Sequence, residues 1–312
     1  MTRVLFSAPK TDWVDYREVL PQALAEAGVV AEIEHTLDPA NPETVDYIVY
    51  APSSALKDFT PFTGAKLVQS LWAGVEAVVG NATQTQPLAR MVDPGLTEGM
   101  VEWCVGHVLR HHLGIDRDIG RTDGVWEPLP PPLARDRSVT ILGLGALGGA
   151  VGQALAALNF PVTGWSRSPK TVAGLTCLSG EDGLARSLDR ASIVVLLLPL
   201  TGATENLMNA DRLARMARGG VLINPGRGPL IDDAALIAAL DAGHLAHATL
   251  DVFRTEPLPP EHPFWAHPKV TVTPHIASAT RPASAARVVA ENIRRGEAGE
   301  PFLHLVDRAA GY

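Results

Sequence analysis

Short apolar runs alternate with amphipathic stretches along the whole chain. RVLFS (3–7), VVAEIE (29–34), DYIVYA (46–51) and KLVQSL (66–71) have the length and apolar content of strands, and turns containing Pro or Gly separate several of them. A second series begins at SVTILGLG (138–145). It continues through PVTGWS (161–166), SIVVLLLP (192–199), GGVLINPG (219–226), HATLDVF (247–253) and KVTVTPH (269–275). Helical stretches lie between the strands. One is DDAALIAALDAG (232–243), which ends in the glycine that often stops a helix. This alternation predicts an α/β fold built on parallel sheets.

Between the two series lies TEGMVEWCVGHVLRHH (97–112). Met100, Cys104 and Val108, with Val101, Val105 and Leu109, fall on one helical face, and Thr97 is the expected N-cap. The Pro- and Gly-rich stretch 120–137 that follows is expected to be extended. Helix and arm together suit a link between domains or a contact with a second subunit.

Composition narrows the function classes. The chain has 312 residues, 46% hydrophobic and 19% charged, which is a globular balance. Its formal net charge of −8 disfavours nucleic acid and anionic membranes as partners. No apolar run approaches the length of a membrane span, and the N-terminal run is short for a signal peptide. Cys104 and Cys177 sit in no metal-ligand spacing, so no metal site is expected, and a reducing cytoplasm fits.

TILGLGALGGAVGQALAAL (140–158) carries Gly143, Gly145 and Gly148 as GxGxxG. The pattern follows an apolar strand and opens an Ala-rich helix, the context in which it binds a dinucleotide. Gly143 permits the tight turn, Gly145 lets a pyrophosphate approach the backbone, and Gly148 lets helix and strand pack closely. The helix N-terminus, at Ala146 and Leu147, favours the phosphate charge.

Three polar residues follow three later strands. Arg227 comes after VLINPG, Glu256 after ATLDVFRT and His275 after KVTVTP. An open parallel sheet binds its ligand beyond the carboxyl ends of its strands. An arginine fork can hold a substrate carboxylate bidentately. A histidine can give a proton to a carbonyl oxygen as hydride reaches the carbon, and a carboxylate bonded to that histidine orients it. Taken singly, each also suits a structural role: a loop cap, a solvated carboxylate, a satisfied histidine.

With GLGALG, INPGRG, LDVFRTEPLP and TPHIASAT in this order, the chain resembles the D-2-hydroxyacid dehydrogenase family over essentially its whole length. GWSRS, HPFWAHPKVTVTPHIASATRP (262–282) and VDRAAGY (306–312) look closest to its glyoxylate/hydroxypyruvate reductase A group. The resemblance implies a Rossmann coenzyme domain, 99–282, inserted in a discontinuous flavodoxin-like substrate domain of 1–98 and 283–312, with the active site in the cleft. It implies His275 as proton donor, Glu256 as its partner and Arg227 as the substrate arginine. The loop LWAGVEAV (71–78) then offers Ala73 and Gly74 N–H groups to the substrate carboxylate. In it, Trp72 replaces the family's usual small residue and Glu76 the usual Asp. Leu198, Pro199, Pro225, Gly226 and Asp251 complete the expected coenzyme contacts. A homodimer through the region of 97–137 is implied as well. With no further domain after residue 312, the longer phosphoglycerate dehydrogenases of the family are disfavoured.

The second strand of the nucleotide unit ends in GWSRSPK (164–170), where NAD-binding proteins often place an acid for the ribose 2′-hydroxyl. Here Ser166 stands near that position, with Arg167, Ser168 and Lys170 after it. Hydroxyl donors and two cations suit the extra phosphate of NADP. The alternative is a solvated basic surface. The expectation is an NADPH-dependent reductase of small 2-keto acids, with NADH a weaker donor. Two other readings remain at this stage: a dehydrogenase for a bulkier keto acid, and a dinucleotide-sensing binding module on the same fold.

Overall fold

A computed structural model describes residues 1–36, 39–119 and 121–311. Leu37, Asp38, Gly120 and Tyr312 lie outside the described residues, Gly120 opening the expected arm and Tyr312 closing the VDRAAGY motif. The chain forms two compact units, Met1–Leu96 with Ala279–Tyr312, and Thr97–Ser278. The expected crossings were 98/99 and 282/283.

In the first unit, five parallel strands stand in the order β2-β1-β3-β4-β5: β1 (Thr2–Ser7), β2 (Ala31–Glu34), β3 (Tyr47–Tyr50), β4 (Leu67–Ser70) and β5 (Leu88–Ala89). All four residues of β3, YIVY, are buried. A strand sends successive side chains to opposite faces. Tyr47 and Val49 therefore join the core on one face, and Ile48 and Tyr50 the core on the other. The helix Pro282–Ala298 closes the first of these cores with Ala285, Val289 and Ile293, one stripe at four-residue spacing. That stripe is why the last segment of the chain belongs to the first unit. Ile293→Ala would cost about 2–5 kcal/mol.

The second unit holds seven parallel strands in the order β12-β11-β10-β9-β6-β7-β8: β6 (Val139–Leu142), β7 (Val162–Ser166), β8 (Thr176–Ser179), β9 (Ile193–Leu196), β10 (Gly220–Asn224), β11 (Leu245–Leu250) and β12 (Val270–Val272). The order reverses between β6 and β9, which places the ligand crevice outside their carboxyl ends.

The long helix starts earlier than the sequence reading has it. It runs from Pro94 to Leu113, so Thr97 lies inside it rather than capping it. Asp93 precedes Pro94, and its carboxylate accepts the Leu96 N–H at 3.2 Å. Proline at the first helical position lacks only an N–H that would have no intrahelical partner. The apolar face is as expected: Met100, Cys104 and Val108 are buried, and Val101, Val105 and Leu109 pack beside them. Residues 121–133 form neither helix nor strand. Among the described residues, no helix is long and apolar enough to cross a membrane.

Candidate active site

The glycine-rich turn is fixed by close approaches. Gly143 has φ +109°, and a Cβ on it would lie 2.3 Å from the Leu197 carbonyl oxygen. A Cβ on Gly148 would lie 1.8 Å from the Gly143 carbonyl oxygen. Gly145 differs, since a Cβ there meets nothing within 4 Å. It precedes the helix Ala146–Ala157, whose first turn carries no acid, and Gly145 and Ala146 are exposed. Open space, a helix N-terminus and a first turn without an acid fit a pyrophosphate. The Gly143–Leu197 approach also sets Leu198 and Pro199 beside the turn. The Thr204 hydroxyl donates to the Pro199 carbonyl at 2.7 Å and holds that loop.

At the end of β7 the sequence expectation needs refining. Ser166 closes the strand and is buried. Its hydroxyl donates to the Ser168 carbonyl at 2.8 Å, so its hydrogen is already engaged within the loop. Arg167, Ser168 and Lys170 are exposed. The Lys170 ammonium donates to the Leu144 carbonyl at 2.9 Å, which brings a positive charge over the glycine-rich turn.

The second cluster stands at the ends of three adjacent strands, β10, β11 and β12. His275 Nδ1 and Glu256 Oε2 are 2.7 Å apart. The other carboxylate oxygen, Oε1, accepts the Phe253 N–H at 2.8 Å, so the acid is itself held. A carboxylate only accepts, so Nδ1 carries the proton and Nε2 is the nitrogen turned to a ligand. The His275 side chain is 51% exposed, open enough for a substrate to reach it.

Arg227 follows β10, half-buried, with Nη1 donating to the Gly226 carbonyl at 2.7 Å. Asn224 braces this turn. Its Nδ2 donates to the Arg227 carbonyl at 2.8 Å, and its Oδ1 accepts the Gly226 N–H at 3.1 Å. A Cβ on Gly228 would lie 2.0 Å from the Phe253 carbonyl carbon, so the Arg227 turn runs directly against the loop that carries Glu256. Pro225 and Gly226 are thus part of a braced turn and not a slack one.

Asp251 plays a structural part that sequence reasoning did not assign to it. It is fully buried. Its Oδ1 accepts the Thr273 hydroxyl at 2.6 Å and the Ile276 N–H at 2.9 Å, and its Oδ2 accepts the Ala277 N–H at 2.9 Å. The Asp251 carbonyl accepts the His275 N–H at 2.8 Å. His275 sits at φ +54°, sparsely populated for a residue with a Cβ, and these bonds around it fix the loop that holds it there. Asn224 and Asp251 each stand beside a turn at a strand end, a setting where Asn and Asp commonly bond backbone N–H groups. That signal was available in the sequence.

In the first unit, the loop after β4 is shaped by Ser70. Its Oγ accepts the Trp72 N–H and donates to the Trp72 carbonyl, both at 3.1 Å. The Met91 N–H also bonds that carbonyl, at 3.0 Å. Trp72 is 45% exposed, and Ala73 and Gly74 are half-buried. Among the described residues, no group of His, Cys, Asp and Glu could hold a metal ion.

The chain is similar to known proteins. The family model described as D-isomer specific 2-hydroxyacid dehydrogenase, NAD binding domain, matches residues 104–277. A glyoxylate/hydroxypyruvate reductase A of Serratia proteamaculans is 40% identical over 255 residues, 79% of this chain and 82% of the relative. The crystal structure of a D-isomer specific 2-hydroxyacid dehydrogenase of Xanthobacter autotrophicus, in complex with NADPH and MES, superposes with a TM-score of 0.92 at 41% identity, covering 100% of this chain and 99% of that one. An NADPH-dependent glyoxylate/hydroxypyruvate reductase of Sinorhizobium meliloti, in complex with NADP and sulfate, gives 0.87 at 36% identity and covers 100% of both chains. The chain belongs to the D-isomer specific 2-hydroxyacid dehydrogenase family.

Proposed function

We propose that the protein reduces small 2-keto acids with NADPH, turning glyoxylate into glycolate and hydroxypyruvate into D-glycerate. The observation that carries this reading is the His275–Glu256 pair at 2.7 Å, set on adjacent strand ends in the same unit as the glycine-rich turn. The relatives named for this activity support the choice of substrates.

When bound, the nicotinamide supplies the hydride. Glu256 holds His275 by Nδ1 and orients the ring, so that Nε2 gives its proton to the keto oxygen. Arg227 binds the substrate carboxylate and polarises the neighbouring carbonyl. The loop begun by Trp72 offers the N–H groups of Ala73 and Gly74 as donors for a substrate carboxylate. Gly145, Ala146 and Leu147 receive the pyrophosphate, and Arg167, Ser168 and Lys170 favour the 2′-phosphate. This makes NADPH the preferred donor over NADH.

The protein acts as a homodimer through the helix and arm of 97–137. Trp126 in this arm is 94% exposed, and Val125, Leu129 and Leu133 are exposed as well. So much apolar surface on one segment suits a partner protomer.

Steady-state assay of the purified chain with NADPH and NADH tests the reading, across glyoxylate, hydroxypyruvate, pyruvate and a bulky 2-keto acid. The expected result is the highest kcat/KM with NADPH and one of the two small substrates. Folded protein that turns over neither would refute it, and a preference for the bulky acid would move the activity elsewhere in the family.

A further inference from the structure

We propose that Gln69 and Asn292 are positioning residues for the loop Trp72–Gly74. This rests on the reading of that loop as the contact for the substrate carboxylate. Gln69, Ser70 and Asn292 are at most 2% exposed and lie in the first unit.

Asn292, on the last helix, donates from Nδ2 to Gln69 Oε1 at 2.6 Å and to the Leu303 carbonyl at 3.2 Å. Its Oδ1 accepts the Leu303 N–H at 2.7 Å. Gln69 Nε2 donates to the Ser70 carbonyl at 2.9 Å and reaches the Ala89 and Arg90 carbonyls at 3.5 and 3.4 Å. Ser70 Oγ then holds both backbone polar groups of Trp72. One line of hydrogen bonds thus joins the C-terminal segment, the last helix, β4 and the first residue of the loop.

Both amides have one orientation that satisfies all their partners. Rotating either would set donor against donor or acceptor against acceptor among buried groups. The oxygen of Asn292 is fixed by the Leu303 N–H, which directs its nitrogen at Gln69 and so turns the Gln69 nitrogen to the Ser70 carbonyl. Apolar side chains of similar volume could fill this space without an orphaned group on either of them. What the polar chain adds is a defined position for the end of β4, and through Ser70 for the N–H groups that follow Trp72.

The test compares Gln69→Met, Gln69→Glu and Asn292→Leu with Ala73→Pro, which removes one loop N–H outright. Gln69→Glu keeps an acceptor for Asn292 and sets an oxygen against the Ser70 carbonyl, so it serves if Gln69→Met does not fold. Thermal melting and near-ultraviolet circular dichroism identify the folded variants. The expected result is a rise of tenfold or more in KM for the keto acid in all four, with KM for NADPH within twofold of wild type. Gln69→Met with Asn292→Leu should give no more than the larger single effect. A folded Gln69 or Asn292 variant with wild-type KM for the keto acid, beside an impaired Ala73→Pro, would overturn the inference while leaving the loop reading intact. A wild-type KM in Ala73→Pro would remove the loop reading and the inference with it.

Discussion

Asp251→Asn tests whether the His275 loop is held as described. Three donors converge on this carboxylate: the Thr273 hydroxyl and Ile276 N–H on Oδ1, and the Ala277 N–H on Oδ2. Asparagine has the same shape but only one acceptor oxygen. With that oxygen toward Thr273 and Ile276, the amide nitrogen faces the Ala277 N–H. With the amide turned over, Thr273 can accept but the Ile276 N–H is opposed. One backbone N–H loses its partner in either case, in a site shut off from water. Losing a hydrogen bond to a charged acceptor there costs about 1.5–3 kcal/mol. If the loop relieves this by leaving its active shape, the competent fraction falls by about 10- to 150-fold, at about 1.4 kcal/mol per factor of ten. Most of the fall in kcat/KM should therefore be in kcat, while NADPH binding measured by fluorescence stays within a few-fold of wild type. Thr273→Val removes one neutral donor and leaves both backbone bonds, so its loss should be about fivefold. An Asp251→Asn enzyme with wild-type kcat would refute the argument, as would a Thr273→Val loss equal to that of Asp251→Asn.

Three further outcomes follow. Arg167→Ala should raise KM for NADPH about 10- to 100-fold, the scale of a charge-assisted bond to phosphate, and leave KM for NADH nearly unchanged; an equal effect on both would remove Arg167 from coenzyme selection. Burial is the first cause that lowers the imidazole pKa values of His111, to about 3, and His247, to about 4, from 6.5, with the nearby Arg110 adding to it in both and His247 adding to it at His111. Above pH 6.5 both states of the chain hold these rings neutral. Below it the unfolded chain takes up protons first, so stability should fall by about 2 kcal/mol per ring by pH 5, and a flat melting temperature from pH 7 to 5 would contradict this. Trp126→Asp should convert a dimer to a monomer in sedimentation at micromolar concentration, and a monomeric wild type would rule out the proposed assembly.

The sequence carried the strands with strong apolar runs and the turns marked by glycine. It did not carry β5, which is two residues long, or β8, whose TCLS sits half-buried at the sheet edge with little apolar pattern. The helix start was displaced because Thr97 has the chemistry of a cap, whereas Asp93 followed by Pro94 is the stronger start and lies before the apolar face begins. The site was legible in part. Glu256 and His275 stand 19 residues apart, yet their types and their places after strands pointed to a pair, and they meet. Ser166 looked like a phosphate donor, but a hydroxyl has one hydrogen, and the fold of the loop directs it to Ser168. At Asn224 and Asp251 the sequence offered only an Asn or Asp beside a turn at a strand end; which backbone groups each one braces is set by the fold of its loop.

The central claim is hydride transfer to C2 of a keto acid with proton donation from His275. NADPH deuterated at the transferred position of C4, incubated with glyoxylate and the purified protein, tests it through the mass of the glycolate formed. The account predicts glycolate heavier by one mass unit, formed with the wild type and reduced at least 100-fold in rate with His275→Ala, which should still bind NADPH. Unlabelled glycolate, or labelled glycolate formed by His275→Ala at the wild-type rate, would contradict it.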